Sequence, residues 1–166
     1  MQVPSETNLS ELVEGLVGSE QPGGRGIGAW RSLLRAQATL VRRLETQLEE
    51  QTSLALADFD VLAQLAIAGG ELRMTELANR ALISRSGMTR RVSRLVDEGL
   101  VRRTGADGDA RGVVVALTDA GVARLTQTVP VHVRGIVDLF VARLDDEELA
   151  ALERTLDKVI VDCTFG

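Results

Sequence analysis

Residues 74–117 read MTELANRALISRSGMTRRVSRLVDEGLVRRTGADGDARGVVVAL, and this stretch decides the fold. Met88, Val92, Leu95 and Val96 recur at i, i+4, i+7 and i+8, which is one face of an α-helix. Ser84 precedes them, and its hydroxyl can accept from the free N–H groups one turn on. Ser86, Arg90, Ser93 and Asp97 fall on the opposite face, flanked by Thr89 and Arg94, with Asp97 at the far end. The segment Thr75–Arg80 reads as a shorter helix that keeps Leu77, Ala78 and Ala81 for packing. The link Ala81–Ser84 has the length of a helix-turn-helix turn. Beyond the second helix, Val101–Thr104 and Val113–Leu117 are β-branched runs, joined by the turn-rich loop Gly105–Gly112.

A helix that is greasy on one side and shows hydroxyls and guanidiniums near its N-terminus suits a DNA recognition helix. The plainer reading is a solvated basic face on an ordinary helix, and the helix alone would favour it. The hairpin shifts the balance. Its tip carries Arg111, which packing does not require there, and an arginine at a tip can enter a narrow minor groove. Asp109, two residues earlier, can hold that guanidinium as a bidentate pair and set its direction. The candidate DNA contacts are therefore Arg73, Ser84, Arg85, Ser86, Thr89, Arg90, Arg94, Asp109 and Arg111.

Five groups of residues stand here in a telling order and spacing. They are Met74-Thr75-Glu76-Leu77-Ala78, Ser84-Arg85-Ser86-Gly87-Met88-Thr89-Arg90, Leu95-Val96-Asp97-Glu98-Gly99-Leu100-Val101, Asp109-Ala110-Arg111 and Leu117-Thr118-Asp119-Ala120-Gly121. Together they resemble the winged helix-turn-helix of MarR-type transcription regulators, over about Leu33 to Leu156. The resemblance implies a mainly α fold with a small β-wing: a winged helix-turn-helix head plus a helical dimerisation region. It implies a homodimer joined through its terminal helices and bound to a pseudo-palindromic double-stranded DNA operator. It also implies repression, commonly relieved when a small phenolic or aromatic acid binds between the dimer helices and the head.

The whole chain is compatible with this. At 166 residues it can form one domain with a real core, and its 45% hydrophobic and 26% charged content is that of a globular protein. The formal net charge is −5, unexpected for a DNA binder. Yet the span from Arg73 to Arg103 sets eight arginines against Glu76, Asp97 and Glu98, and the local field governs the encounter. The one cysteine, Cys163, excludes an intrachain disulfide and reads as an inert or crosslinking-prone thiol. The N-terminus lacks a basic lead and a long apolar run, so no signal peptide is expected, and no apolar run is long enough to span a membrane. The expected location is the cytoplasm of a bacterial or archaeal cell, at the nucleoid.

In chain order, residues 1–28 form an N-terminal extension: a short amphipathic helix on Leu9, Leu12, Val13, Leu16 and Val17, then a Gly-rich flexible linker over Ser19–Gly28. Residues 29–56 form the first dimerisation helix, in which Trp30, Leu34, Gln37, Val41, Leu44 and Leu48 alternate at four and three. Residues 57–117 form the winged helix-turn-helix region. It opens with a helix started by Asp58, turning Phe59, Leu62, Leu65 and Ala66 inward and ending at Gly69-Gly70, and Glu71–Arg73 adds a short strand. Residues 118–166 form the C-terminal dimerisation helices. Thr118 caps a helix running through Leu144, and Asp145 with Glu148 caps the last one.

Gln37 breaks an apolar seam, and a buried amide is costly unless it is hydrogen-bonded. One reading has it bond its dimer mate, with Arg31 solvated and His132 at the surface. The other makes a pocket for an aromatic carboxylate: Arg31 pairs with the acid group, Gln37 and His132 bond a ring hydroxyl, and Trp30 stacks. Regulators of aromatic catabolism that the chain resembles place an arginine of the first helix against the ligand acid, which adds weight to the second reading and leaves both open.

Enzyme chemistry has little to stand on. The sequence has one histidine and one cysteine, with no CxxC, HExxH or GxxxxGK. Neither a catalytic residue, a metal site nor a cofactor is expected. The acidic run Asp145–Glu148 reads as the dipole-complementing start of a helix. The alternative of another class is a winged-helix protein–protein adaptor without ligand response, which a gel shift on DNA would separate. A small enzyme using His132 comes third.

Overall fold

The structure is a computed structural model and describes residues 24–105 and 112–163. Among them the chain forms α1 (Gly24–Thr52), α2 (Leu56–Ile67), β1 (Glu71–Arg73), α3 (Met74–Arg80) and α4 (Arg85–Asp97). Then follow β2 (Val101–Thr104), β3 (Val114–Leu117), α5 (Asp119–Leu139), a single 3-10 turn (Val141–Arg143) and α6 (Asp146–Cys163). The three strands make one antiparallel sheet in the order β1-β3-β2, with Leu72 and Arg103 both opposite Val115. This is a mainly α fold with a small wing sheet, as expected.

The chain divides into two compact units, Met1–Arg42 and Arg43–Gly166. The core lies in the second. Val61, Leu62, Leu65, Leu77, Met88, Val92, Leu95 and Val115 are fully buried and form one cluster. Each comes from a helix face or strand face whose apolar period matches its element. In the first unit, Ile27, Trp30, Leu33, Leu34 and Val41 of α1 are exposed apolar side chains.

Three helices of the head end in the same way. After α2, Gly70 N–H bonds Leu65 C=O and Gly69 N–H bonds Ala66 C=O. After α4, Leu100 bonds Leu95 and Gly99 bonds Val96 in the same pattern. After α3, Ile83 bonds Ala78 and Leu82 bonds Asn79. All three are Schellman motifs, which satisfy orphan carbonyls and need positive φ just past the cap. Gly69 and Gly99 supply it at +90° and +72°, but in the third motif Leu82 does so at +53°. The entry to α5 is equally tight. Thr118 Oγ1 accepts from Gly121 N–H at 3.0 Å and donates to Gly99 C=O at 2.7 Å. A Cβ on Gly121 would lie 2.0 Å from Leu100 O, so only glycine fits.

Four expectations are corrected. The flexible linker Ser19–Gly28 does not hold at its end: α1 already starts at Gly24. A helix nucleated downstream propagates at one hydrogen bond per added residue, and that gain outweighs the glycine cost. Ala66 is exposed and Val61 takes the inward place, because α2 turns the face 58, 61, 62, 65 to the core. The helix after Thr118 stops at Leu139 and not at Leu144. Leu144 must be extended (φ −126°, ψ 149°) to enter the reciprocal cap of α6. There Asp145 N–H bonds Glu148 Oε2 at 3.0 Å, and Glu148 N–H bonds Asp145 Oδ1 at 2.8 Å. Finally, β3 begins one residue late, at Val114; Val113 instead offers its carbonyl to Met74 N–H. The N-terminal helix expected over residues 9–17 lies outside the described residues.

Candidate nucleic-acid interface

α4 is the element around which the candidate site is built. Ser84 caps it, its Oγ accepting from Gly87 N–H at 3.2 Å. A Cβ on Gly87 would meet Ile83 Cγ2 at 2.9 Å, so a glycine lets the turn close against the helix. Met88, Val92 and Leu95 are wholly buried and fix the inner face. The outer face exposes Arg85, Ser86, Thr89 and Arg90. No ion pair or hydrogen bond engages the Arg85 or Arg90 guanidinium among the described residues. Thr89 Oγ1 donates to Arg85 C=O at 2.9 Å, which leaves its methyl group and a lone pair for an outside partner.

The other two arginines of α4 have inward duties. Asp58, on the first turn of α2, is 3% exposed. Arg91 Nη1 donates to its Oδ1 at 2.8 Å, and Arg94 Nη2 donates to its Oδ2. One carboxylate thus pins two guanidiniums and ties α2 to α4. Arg94, expected at the DNA, keeps a half-exposed side chain but is held by this pair. Arg90, Arg91, Arg94 and Gly87 line an open cleft of about 250 Å³, which concentrates positive potential beside the helix. Arg73, at the junction of β1 and α3, is exposed. Asp109 and Arg111 lie outside the described residues.

Two contributors to this site were not anticipated in their roles, Asp58 and Arg103. Asp58 had a legible signal: it stands at i with Val61, Leu62 and Leu65 at i+3, i+4 and i+7, so a carboxylate sits on a buried stripe and must find a partner. Arg103, on β2, donates to Ser93 Oγ at 2.6 Å and to Thr89 C=O at 3.2 Å. Nothing in its local sequence separates it from its neighbour Arg102, and both are exposed.

The expected ligand residues fall in different units. Trp30 (55% exposed), Arg31 and Gln37 are exposed residues of α1 in the first unit. His132, on α5 in the second, is half-buried with its ring 4.6 Å from that of Phe59. Its Nδ1 is buried and has no hydrogen-bond partner among the described residues. Burial lowers its pKa below the ordinary value, and the nearby Asp60 charge only partly opposes this. Among the described residues no group of three or more His, Cys, Asp or Glu could hold a metal ion, and no helix is long and apolar enough to cross a membrane.

Comparison with known proteins agrees with this geometry. The MarR family profile matches residues 52–112, from the end of α1 to the wing. The HTH-type transcriptional regulator PecS of Dickeya dadantii is 30% identical over 122 residues, spanning 72% of this chain and 73% of that protein. The crystal structure of AbsC, a MarR family regulator from Streptomyces coelicolor, superposes with a TM-score of 0.75 at 27% identity, covering 83% of this chain and 93% of AbsC. Sco3205, a MarR family regulator from the same organism solved in complex with DNA, gives a TM-score of 0.72 at 34% identity, covering 80% and 86%. With the Ser84-capped helix α4, an antiparallel wing sheet and these relatives, the chain belongs to the MarR family of winged-helix transcriptional regulators, which are DNA-binding proteins and not enzymes.

Proposed function

We propose that this regulator is a homodimeric repressor that reads a pseudo-palindromic DNA operator and lets go of it when a small aromatic or phenolic acid binds. The observation that carries the DNA half is the division of labour on α4. Asp58 engages Arg91 and Arg94, while Arg85 and Arg90 stand exposed beside Ser86 and Thr89. Guanidiniums with no partner among the described residues are available for guanine edges, and the Thr89 methyl for a thymine methyl. Ser84, Ser86 and Arg73 are suited to phosphates, as is the α4 N-terminus itself. In this reading Asp109 orients Arg111 into the flanking minor groove.

Exposed apolar side chains on α1 and on α5, where Val129, Val133 and Val137 are exposed, fit burial against a second copy. For the effector, Arg31 is the acid-binding group, Trp30 the stacking wall and Gln37 a partner of a ring hydroxyl, all on α1. His132, in the second unit, is a separate candidate for a polar ligand contact, since its Nδ1 is buried with no hydrogen-bond partner among the described residues. The test joins both halves. A reporter driven by a promoter carrying the selected operator is silenced by the protein and restored by a hydroxybenzoate that calorimetry shows to bind wild type more tightly than Arg31→Ala. Activation of the reporter would contradict repression. Equal binding of every acid to both proteins, or no acid that weakens DNA binding, would remove the pocket. No DNA binding at all would favour an adaptor.

A further inference from the structure

Arg103 offers a different use of a basic side chain. It projects from β2, opposite Val115 in the wing sheet, and reaches back to α4. Its Nη2 carries two hydrogens, and both are engaged: one on Ser93 Oγ at 2.6 Å, one on Thr89 C=O at 3.2 Å. Ser93 Oγ donates to that same carbonyl at 2.9 Å. Nitrogen, hydroxyl and carbonyl form a closed triangle across the gap between sheet and helix. Two of the five donors of this guanidinium are thus turned inward, onto the recognition helix.

The position of the triangle around the helix axis gives it meaning. At about 100° per residue, the core face of α4 (Met88, Val92, Leu95) has Thr89 and Ser93 on one flank and Arg91 and Arg94 on the other. Arg90 lies midway between the flanks, opposite the core. One flank is held by Asp58 of α2, the other by Arg103 of β2. Branched and thioether side chains in a core can absorb small shifts of a helix by repacking. Two polar struts on opposite flanks resist roll directly.

We propose that Arg103 is a positioning residue: it fixes the roll of the recognition helix on the wing sheet, and so the angle at which Thr89 and Arg90 meet the bases. This rests on the DNA-reading function above. It separates Arg103 from the phosphate-binding cations, because its loss removes discrimination between sequences and leaves electrostatic attachment in place. It also makes the wing and the helix one mechanical body, so that a wing seated in the minor groove sets the approach of α4 in the major groove.

The full-length protein serves for the test. Wild type, Arg103→Lys, Arg103→Gln, Ser93→Ala and the Arg103→Gln/Ser93→Ala pair are titrated against the duplex that wild type selects from a random library and against a scrambled duplex. Lys keeps the charge but cannot reproduce two bonds from one planar nitrogen. The expected result for Arg103→Lys is a roughly tenfold fall in the ratio of selected to scrambled affinity, with scrambled binding and its salt slope unchanged. Unchanged scrambled binding also reports that the variant is folded. The double variant should lose little more than Arg103→Gln alone, as coupled partners do. A wild-type ratio in Arg103→Lys, or a parallel fall on both duplexes with a slope shallower by about one in Arg103→Gln, would mark Arg103 as a phosphate contact and overturn the proposal. If wild type itself binds both duplexes equally, the DNA-reading function fails, and the proposal falls with it.

Discussion

At the scale of single residues, the site turns on which arginines are spoken for. Arg90 is exposed, opposite the buried face of α4, and makes no bond to the described residues. Arg90→Ala is therefore expected to cost about 1–3 kcal/mol of operator affinity and to relax preference at one base per half-site, with thermal stability unchanged. Titration against single-base operator variants checks this; equal loss on random DNA would reduce Arg90 to a phosphate contact. Asp58 is the opposite case, since it is buried and its two partners are partly exposed. Removing one member of a fully buried pair costs about 3–5 kcal/mol, but here the freed guanidiniums can turn to water. Asp58→Ala should thus destabilise by about 2 kcal/mol in urea unfolding. A change under about 0.5 kcal/mol would mean the clamp contributes nothing net.

At the scale of elements, the helix ends carry the most information. Leu82 occupies a position that the parallel motifs give to Gly69 and Gly99, and its side chain is 93% exposed. It supplies left-handed backbone at a cost, with almost no burial to offset it. Leu82→Gly should relieve that cost, less the added freedom of glycine in the unfolded chain, for a net gain of up to about 1 kcal/mol. A melting temperature that falls instead would show that the leucine is held by contacts after all. Elements of this kind were legible in the sequence because their signals are local. Ser84, Thr118 and the Asp145–Glu148 box lie within one turn of the groups they cap, and the 88, 92, 95 spacing marks its face by itself. What escaped is long-range or competitive. The Asp58–Arg94 bond spans 36 residues, and Asp58 doubles as an unremarkable first-turn acid. The choice of Val61 over Ala66 depends on where α5, α3 and the sheet press against α2, which no window within α2 contains. The Leu139 end of α5 follows from the demands of the next helix cap.

At the scale of the whole molecule, stability and recognition both depend on charge. His132 has a folded pKa lowered by burial, so near pH 6.5 the unfolded chain binds a proton that the folded chain refuses. Its contribution is fully present above that pH and is lost as pH falls through the unfolded value toward the folded one. Unfolding free energy should decline on acidification below about pH 6.5, and His132→Gln should flatten that decline. An unchanged slope in the variant would assign the acid sensitivity to other groups. DNA recognition asks more, because in the proposed function one head reads only half a site. A two-fold dimer sets its recognition helices one DNA turn apart, roughly 34–36 Å. The most direct measurement is therefore binding-site selection from a random duplex library with the full-length protein. The expected result is an enriched pseudo-palindrome whose half-sites are centred about 10–10.5 base pairs apart. An enriched site without two-fold symmetry, or no enrichment at all, would contradict it.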